Sequence, residues 1–448
     1  MDKAARDERV ETRAKTGDQR TQAQCDADRL LYASAFRRLG GVTQVVLAQE
    51  GHLFHNRLTH SLKVAQIGRR LAEKLLEDTG SEPLEREAIT VAGGLDSETV
   101  YAAGLAHDLG HPPFGHIGER ELNRAVRRLG LRDGFEGNAQ TFRIVAKLAV
   151  AGTPDPQRPT QLPDSLMPGL NLTRATLNAI LKYPWAYETG DTKWGIYDSE
   201  GHEFQFAREK VGLGPRERTL EAEVMDWADD ITYGVHDVED FYRAGFIPLR
   251  ELVDGLAQQF PARKQVLEAY GRRQTPTPTA DELDGAVATT VKMFAGETSR
   301  FEGTRTDRRR LREFTSMLIG RFVKGTSVMA GKLVVRPEHR LQVEVLKSLT
   351  KVYVVSDPAL ATQQVGEIRI MRELFEIYWD ALLHGTVRVF PARLREEAEM
   401  VTERGITHQY AVRFVADAIA SMTEEEAIRT HRRLTGAALG PLVESPMR

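Results

Sequence analysis

The sequence predicts a mostly α-helical protein, on three observations. Apolar residues recur at spacings of three and four, as in Val64, Ile67, Leu71 and Leu75, which is the period of a helix with one buried face. No strand-helix alternation runs through the chain, so a parallel sheet is not expected. There is also no internal repeat, and the one β-like run is short, Val352-Tyr353-Val354-Val355.

A chain of 448 residues can bury a large core and ordinarily divides into two or three substructures around it. Its 61 basic and 64 acidic residues leave a net charge of -3, which excludes a global polycationic attraction to nucleic acid or anionic membrane. The single cysteine, Cys25, cannot form an internal disulfide, and the N-terminus is charged where a signal peptide needs an apolar core. A reducing, cytoplasmic setting is the expectation. No stretch approaches the roughly 18 uninterrupted apolar residues of a membrane span.

In order along the chain, residues 1 to about 20 carry Arg, Asp, Glu, Thr and Gln with few large apolar side chains. That composition predicts a poorly ordered start, taken as residues 1–25. Leu30, Leu31, Ala35, Phe36 and Leu39 follow helical spacing until Gly40-Gly41. An amphipathic helix starts near Thr59 and carries His60 in its first turn. After a glycine-containing connection, a helix from about Ser97 runs into Leu109 and ends in a His-Asp pair; further helices cover Arg120–Leu129 and open at Phe135–Gln140.

Four prolines make 152–166 a surface loop. Helix resumes over 170–183, and Lys193–Gly201 is irregular and aromatic. Glu221–Tyr242 is rich in helix formers, with Asp229, Tyr233 and Asp237 at i, i+4 and i+8. A polar stripe this regular either faces water or lines a site. Pro261 and Thr275-Pro276-Thr277-Pro278-Thr279 place a boundary near 255–280, dividing a core of residues 26–255 from a helical C-terminal region, 256–448.

The densest chemistry lies in Leu105–Glu119, which sets three histidines, an aspartate and a glutamate in fifteen residues with two prolines between them. The adjacent His107 and Asp108 offer an imidazole nitrogen and a carboxylate oxygen, donors suited to a divalent first-row metal or Mg2+. Gly110, Pro112, Pro113 and Gly115 break the helix there, so that later side chains can turn to the same point. With His60 and Asp229 this makes a two-His, two-carboxylate set over three helices. Taken singly, each member reads more simply as a structural or solvated residue; together, in an apolar helix end, they favour a metal that offsets the cost of burying a carboxylate.

The order His60, His107-Asp108, Asp229 resembles the H...HD...D signature of the HD phosphohydrolase superfamily. Within it, Ser34–Leu39, Thr43-Gln44-Val45, Asn56–Leu62, His107–His116, Phe135–Gln140 and Ala228–Tyr233 resemble blocks of the deoxyguanosine triphosphate triphosphohydrolase-like (dGTPase-like) family. Val355–Ala361 and Arg413–Thr423 look like its later blocks.

The resemblance implies an all-α HD-domain fold and hydrolysis of 2'-deoxynucleoside triphosphates to deoxynucleoside and inorganic triphosphate. It implies His60, His107, Asp108 and Asp229 as metal ligands, with Asp230 the neighbouring competitor for the last place. Tyr233, Asp237 and Gln44 would meet the sugar, and Arg57 the phosphate, where a guanidinium fork matches its oxygens. His116 is the candidate proton donor to the leaving 5'-oxygen, with Glu119 fixing its tautomer. His111 would face phosphate or stand behind the metal. Without the resemblance, Tyr233 reads as a core tyrosine, Asp237 as a solvated charge and His116 as a structural residue.

A His2Asp2 set suits Mn2+, Fe2+, Co2+ or Ni2+, and Mg2+ less well. The family implies a homo-oligomer. The basic run Arg305–Arg312 suits a regulatory nucleotide or single-stranded nucleic acid, although a solvated helix face or subunit contact is the simpler reading. Lys182, Tyr183, Lys193 and Trp194 are weaker candidates for the triphosphate or base. Neither a P-loop nor a dinucleotide-binding glycine fingerprint is present. Two alternatives stand beside the triphosphohydrolase: an HD-type nucleotide phosphatase or phosphodiesterase, and a nucleotide- or nucleic-acid-binding regulator with little turnover.

Overall fold

The computed structural model describes residues 1–11, 17–45, 54–80, 82–150, 169–254, 266–267, 278–294, 301–355, 358–403 and 407–438. The loop expected at 152–166, the turn residues Thr275–Thr277 and the pair Ser356-Asp357 lie outside these. The described residues are mostly helical, as the apolar periodicity predicts. They run through α1 (Lys3–Arg6), α2 (Gln22–Tyr32), α3 (Ser34–Arg38), α4 (Arg57–Asp78), α5 (Pro83–Val91), α6 (Ser97–Ala106), α7 (Gly115–Arg128), α8 (Gly137–Arg143), α9 (Arg174–Ile180), α10 (Gly201–Arg208), α11 (Leu220–Arg243) and α12 (Leu249–Asp254). There follow α13 (Ala280–Met293), α14 (Arg305–Lys324), the hairpin β1 (Thr326–Met329) and β2 (Lys332–Val335), then α15 (Pro337–Thr350), α16 (Pro358–Leu383), α17 (Ala392–Glu403), α18 (His408–Ala420) and α19 (Glu424–Leu434).

The centre is built from α4, α6 and α11, which pack on one another. Helix α4 begins where it does because the Asn56 side chain accepts the Thr59 N–H at 3.0 Å, a cap that contributes roughly 0.5–2 kcal/mol. Its Val64, Ile67, Leu71 and Leu75 stripe is buried, at roughly 1.5–3 kcal/mol per fully buried side chain. Small residues let α6 come very close: a Cβ on Gly104 would stand 2.6 Å from the Ala65 Cα. Helix α15 closes the far side of α11.

Among the described residues two large apolar cores result, beside a small cluster of Ala139, Trp194 and Tyr197. The first joins residues from Ala27 to Val354. The second joins Phe114–Phe135 with Met371–Ala427, so α7 packs under α16 and α18. The residues of the boundary expected near 255–280 lie mostly outside the described set, but packing on its two sides is continuous through α11, α13 and α15. A helix-rich chain can share a core across a long connection, and proline content alone does not reveal that.

Within residues 1–11, Arg6 bonds buried Glu221, Arg9 bonds buried Asp26, and Glu8 accepts from Arg174 at 2.6 Å. Charged composition hid these partners because they lie far along the chain. Val352–Val355 is not extended; Lys351–Val355 continues α15 as a wider π-type turn. The strands lie instead at 326–335, where Ala330 and Gly331 both take positive φ, 50° and 72°, as a two-residue hairpin turn requires.

Candidate active site

Two helix ends and the middle of a third helix deliver the metal candidates. The Asn56 cap sets Arg57 and His60 in the first turn of α4; His107 closes α6 as its C-cap; Asp229 comes from the middle of α11. His60, His107 and Asp108 offer donor atoms that all lie within 4.8 Å of one another. Asp229 Oδ1 stands 3.0 Å from His60 Nε2 and 3.7 Å from His107 Nε2. Donors bound at about 2.1 Å to one ion stand roughly 3–3.5 Å apart, so this spacing fits a small divalent cation.

The protonation states agree with that fit. His107 Nδ1 is 2.8 Å from the Gly104 carbonyl, which it meets as an N–H donor, leaving Nε2 as a lone-pair donor. That Nε2 is buried with no hydrogen-bond partner among the described residues. Burial pushes the His60 imidazole below its ordinary value, against the pull of Asp229. Burial works to raise Asp108, but Arg57, His107 and His111 outweigh it and hold the carboxyl well below the usual range. Burial is likewise outweighed at Asp229, by Lys182 and then His107 and His60. Neutral imidazoles and ionised carboxylates are the ligand forms.

Asp230, the competitor for the last place, faces the other way and accepts from Lys347 of α15 at 2.9 Å. Arg57 lies against the cluster, with Nη1 2.6 Å from Asp108 Oδ2.

Residues 107–119 then divide. The structure places His111 beside the metal set. Its Nδ1 is 3.1 Å from Asp108 Oδ1, buried, and burial together with Arg57 lowers its pKa to about 4. Phe114 and Gly115 both take positive φ, 63° and 52°, and this left-handed step starts α7. His116 Nδ1 meets Glu119 Oε2 at 2.7 Å while 63% of its side chain stays exposed. Burial would raise Glu119, but the His116 bond and Lys193 hold it well below the ordinary value.

The stripe on α11 is real but not solvated. Asp237 is buried, and burial with Asp240 and Asp229 raises its carboxyl well above the usual range. Among the described residues its Oδ2 has no hydrogen-bond partner, nor has the buried Gln44 Oε1. Tyr233, between Asp229 and Asp237 along the stripe, is partly buried, with its phenol raised by burial.

Several contributors were not legible beforehand. Lys182 binds Asp226 at 2.7 Å and Asp229 at 2.9 Å; Lys193 binds Glu119 at 3.0 Å and Glu136 at 2.8 Å. Both were weak candidates for substrate contact, and both stand beside site carboxylates. Arg38, inside a recognised block, donates to the Leu109 and His111 carbonyls at 2.6 and 2.9 Å. Buried charge was the only available signal, and it needs the fold to be seen. The basic run lies on α14, where Arg309 pairs with Glu313 and Arg310 with Asp307.

A helical fold that gathers a His, a His-Asp pair and a distant Asp into one metal-sized cluster defines an HD-domain, metal-dependent phosphohydrolase. The comparisons agree: residues 57–234 match the HD domain, and residues 333–433 the phosphohydrolase-associated domain. The chain is 35% identical over 443 residues to the deoxyguanosinetriphosphate triphosphohydrolase-like protein of Corynebacterium efficiens, covering 94% of this chain and 92% of that one. It is 36% identical over 444 residues to the protein of the same name from Streptomyces coelicolor, covering 93% of each. A third relative of that name, from Caulobacter vibrioides, is 40% identical over 237 residues, 52% of this chain and 50% of its own. This chain belongs to the dGTPase-like family of HD phosphohydrolases. Among the described residues no helix is long and apolar enough to cross a membrane.

Proposed function

We propose that the protein hydrolyses 2'-deoxynucleoside triphosphates to the deoxynucleoside and inorganic triphosphate. The observation that carries this reading is a His2Asp2 cluster with, in the same region, an exposed histidine braced by a buried glutamate and polar atoms of Gln44 and Asp237 that have no hydrogen-bond partner among the described residues. A divalent ion held by His60, His107, Asp108 and Asp229 would draw charge from the α-phosphate oxygens.

The chain's own residues supply the remainder. Water adds to the α-phosphorus as the bond to the 5'-oxygen breaks, and that oxygen needs a proton. His116 can give it from Nε2, because Nδ1 is engaged by Glu119, whose negative charge stabilises the imidazolium. Arg57, fixed by Asp108, aims its guanidinium at phosphate. Gln44 and Asp237 offer hydrogen bonds to the sugar, and Tyr233, one turn before Asp237 on α11, packs against its ring. A homo-oligomer is part of the same reading.

The test is product analysis with each of the four deoxynucleoside triphosphates and ribonucleotide controls, under several divalent metals. Inorganic triphosphate and a free deoxynucleoside are expected. Release of orthophosphate or pyrophosphate would instead indicate a phosphatase or phosphodiesterase. No turnover with metal bound would leave the binding regulator. His107→Ala and Asp108→Ala should each remove the activity with helical content retained, and unchanged turnover would refute the metal assignment.

A further inference from the structure

Among the places where the C-terminal region meets the site is the elbow between α18 and α19. Arg38, whose Nη2 holds the Leu109 and His111 carbonyls, also donates through Nη1 to the Met422 carbonyl at 3.2 Å. A Cβ on Gly41 would come within 2.9 Å of the Thr423 side chain. Glu424 follows and is 2% exposed. Its Oε1 accepts the Thr43 N–H at 2.6 Å and the Phe114 N–H at 3.1 Å.

Those two amides belong to the two irregular segments of the site. Thr43 precedes Gln44, and Phe114 stands two residues before His116. Phe114 is also the strained residue of its turn, since a bulky side chain at φ 63° costs of order 1–3 kcal/mol unless its surroundings hold it. The two segments touch each other and Arg57: a Cβ on Gly115 would lie 3.1 Å from Arg57 Nη2 and 3.4 Å from the Thr43 carbonyl oxygen. One carboxylate oxygen therefore closes a junction between the sugar-side segment, the segment carrying the proton donor and the phosphate-side arginine.

We propose that Glu424 is a positioning residue, a clamp from the phosphohydrolase-associated region that sets Gln44 and His116 at their working distance from each other. It touches no reacting atom and acts through the two backbone amides. Loss of the clamp releases both segments together, so substrate binding and turnover change jointly. This inference rests on the triphosphohydrolase reading for its kinetic consequence, but not for its structural one.

The experiment compares Glu424→Ala, Glu424→Gln and Glu424→Asp in the full chain, by steady-state kinetics and by amide hydrogen exchange over residues 42–45 and 112–116. Glutamine keeps an acceptor oxygen at the same reach and should stay within about threefold of wild type in both kcat and KM. Alanine should lower kcat about tenfold or more and raise KM, the scale seen when a supporting residue is lost, and both segments should exchange faster. Aspartate, shorter by one methylene, cannot hold both amides, so one segment should lose protection even if the alanine variant does not fold. Unchanged exchange in the aspartate and alanine variants, or faster exchange with kcat and KM unchanged, would overturn the proposal. If wild type forms no triphosphate product, the exchange measurement still decides whether Glu424 clamps the two segments, and only the reading of the reaction fails.

Discussion

Asp229 and Asp237 lie two turns apart on one helix, and their carboxyls are shifted in opposite directions. Asp237 is buried and Asp229 partly so, but Asp229 has Lys182 and two imidazoles beside it, whereas Asp237 looks at the carboxylates of Asp240 and Asp229. The sequence shows two equivalent aspartates in register; the neighbours that separate them come from elsewhere in the chain. Glu367 on α16 makes the same point where no catalysis complicates it. Burial, then the charge of Glu424, pushes its carboxyl up to about 7 from 4.5. The folded chain therefore keeps a proton that the unfolded chain has released between those values, and stability falls as pH rises through that window. Glu367→Gln should remove this dependence. Melting curves at pH 5 should differ little, while at pH 8 the variant should melt about 2 °C higher; a wild-type melting temperature as high as the variant's at pH 8 would show that Glu367 ionises without strain.

Among elements, the pair α4 and α6 decides whether the site exists. Gly104 serves twice: its missing Cβ lets the α6 backbone reach Ala65, and its carbonyl fixes the His107 tautomer. Gly104→Ala would gain about 1 kcal/mol of helix propensity. It would also drive a methyl into backbone 2.6 Å away, an overpacking that costs typically 1–3 kcal/mol, and more against an unyielding neighbour. The clash should win, by roughly 1–2 kcal/mol in denaturant unfolding, and the variant should bind divalent metal more weakly in calorimetric titration. Wild-type stability with wild-type metal affinity would mean that the two helices separate freely.

What was legible follows from the same geometry. The stripes of α4 and α11 are written locally in period and spacing, and so are the metal candidates that stand on them. The break at Ala33, between α2 and α3, has extended backbone at ψ 139° and no proline to announce it. The clamp from Glu424 to Thr43 and Phe114, more than 300 residues apart, leaves no periodic trace at all.

For the whole molecule, the question is whether the HD part and the C-terminal region are separate bodies. The composition suggests a division, yet α7 carries the proton-donor candidate and is packed into the second core by α16 and α18. Polar contacts follow the same path. Arg413 donates to Asp133 at 2.7 Å, and Gln140 to Asp417 at 2.7 Å. Arg143, at the end of α8, joins Asp417 through Nε and Nη2 at 2.9 and 2.7 Å and Glu200 through Nη1 at 2.8 Å. A buried guanidinium between two carboxylates is not in itself strong evidence for stability, because all three groups lose water. Removing the cation alone is different, since it leaves two buried acids facing each other. Arg143→Ala should therefore cost about 3–5 kcal/mol. Adding Asp417→Ala to it should cost less than the sum of the two single changes, because the carboxylate left stranded is then gone. Unfolding followed by helical signal and by the fluorescence of Trp379, isolated by replacing Trp185, Trp194 and Trp227 with Phe, should give one coincident transition in the chain that keeps Arg143. Strict additivity, or a Trp379 transition independent of the helical one, would show instead that the C-terminal region folds without reference to the site.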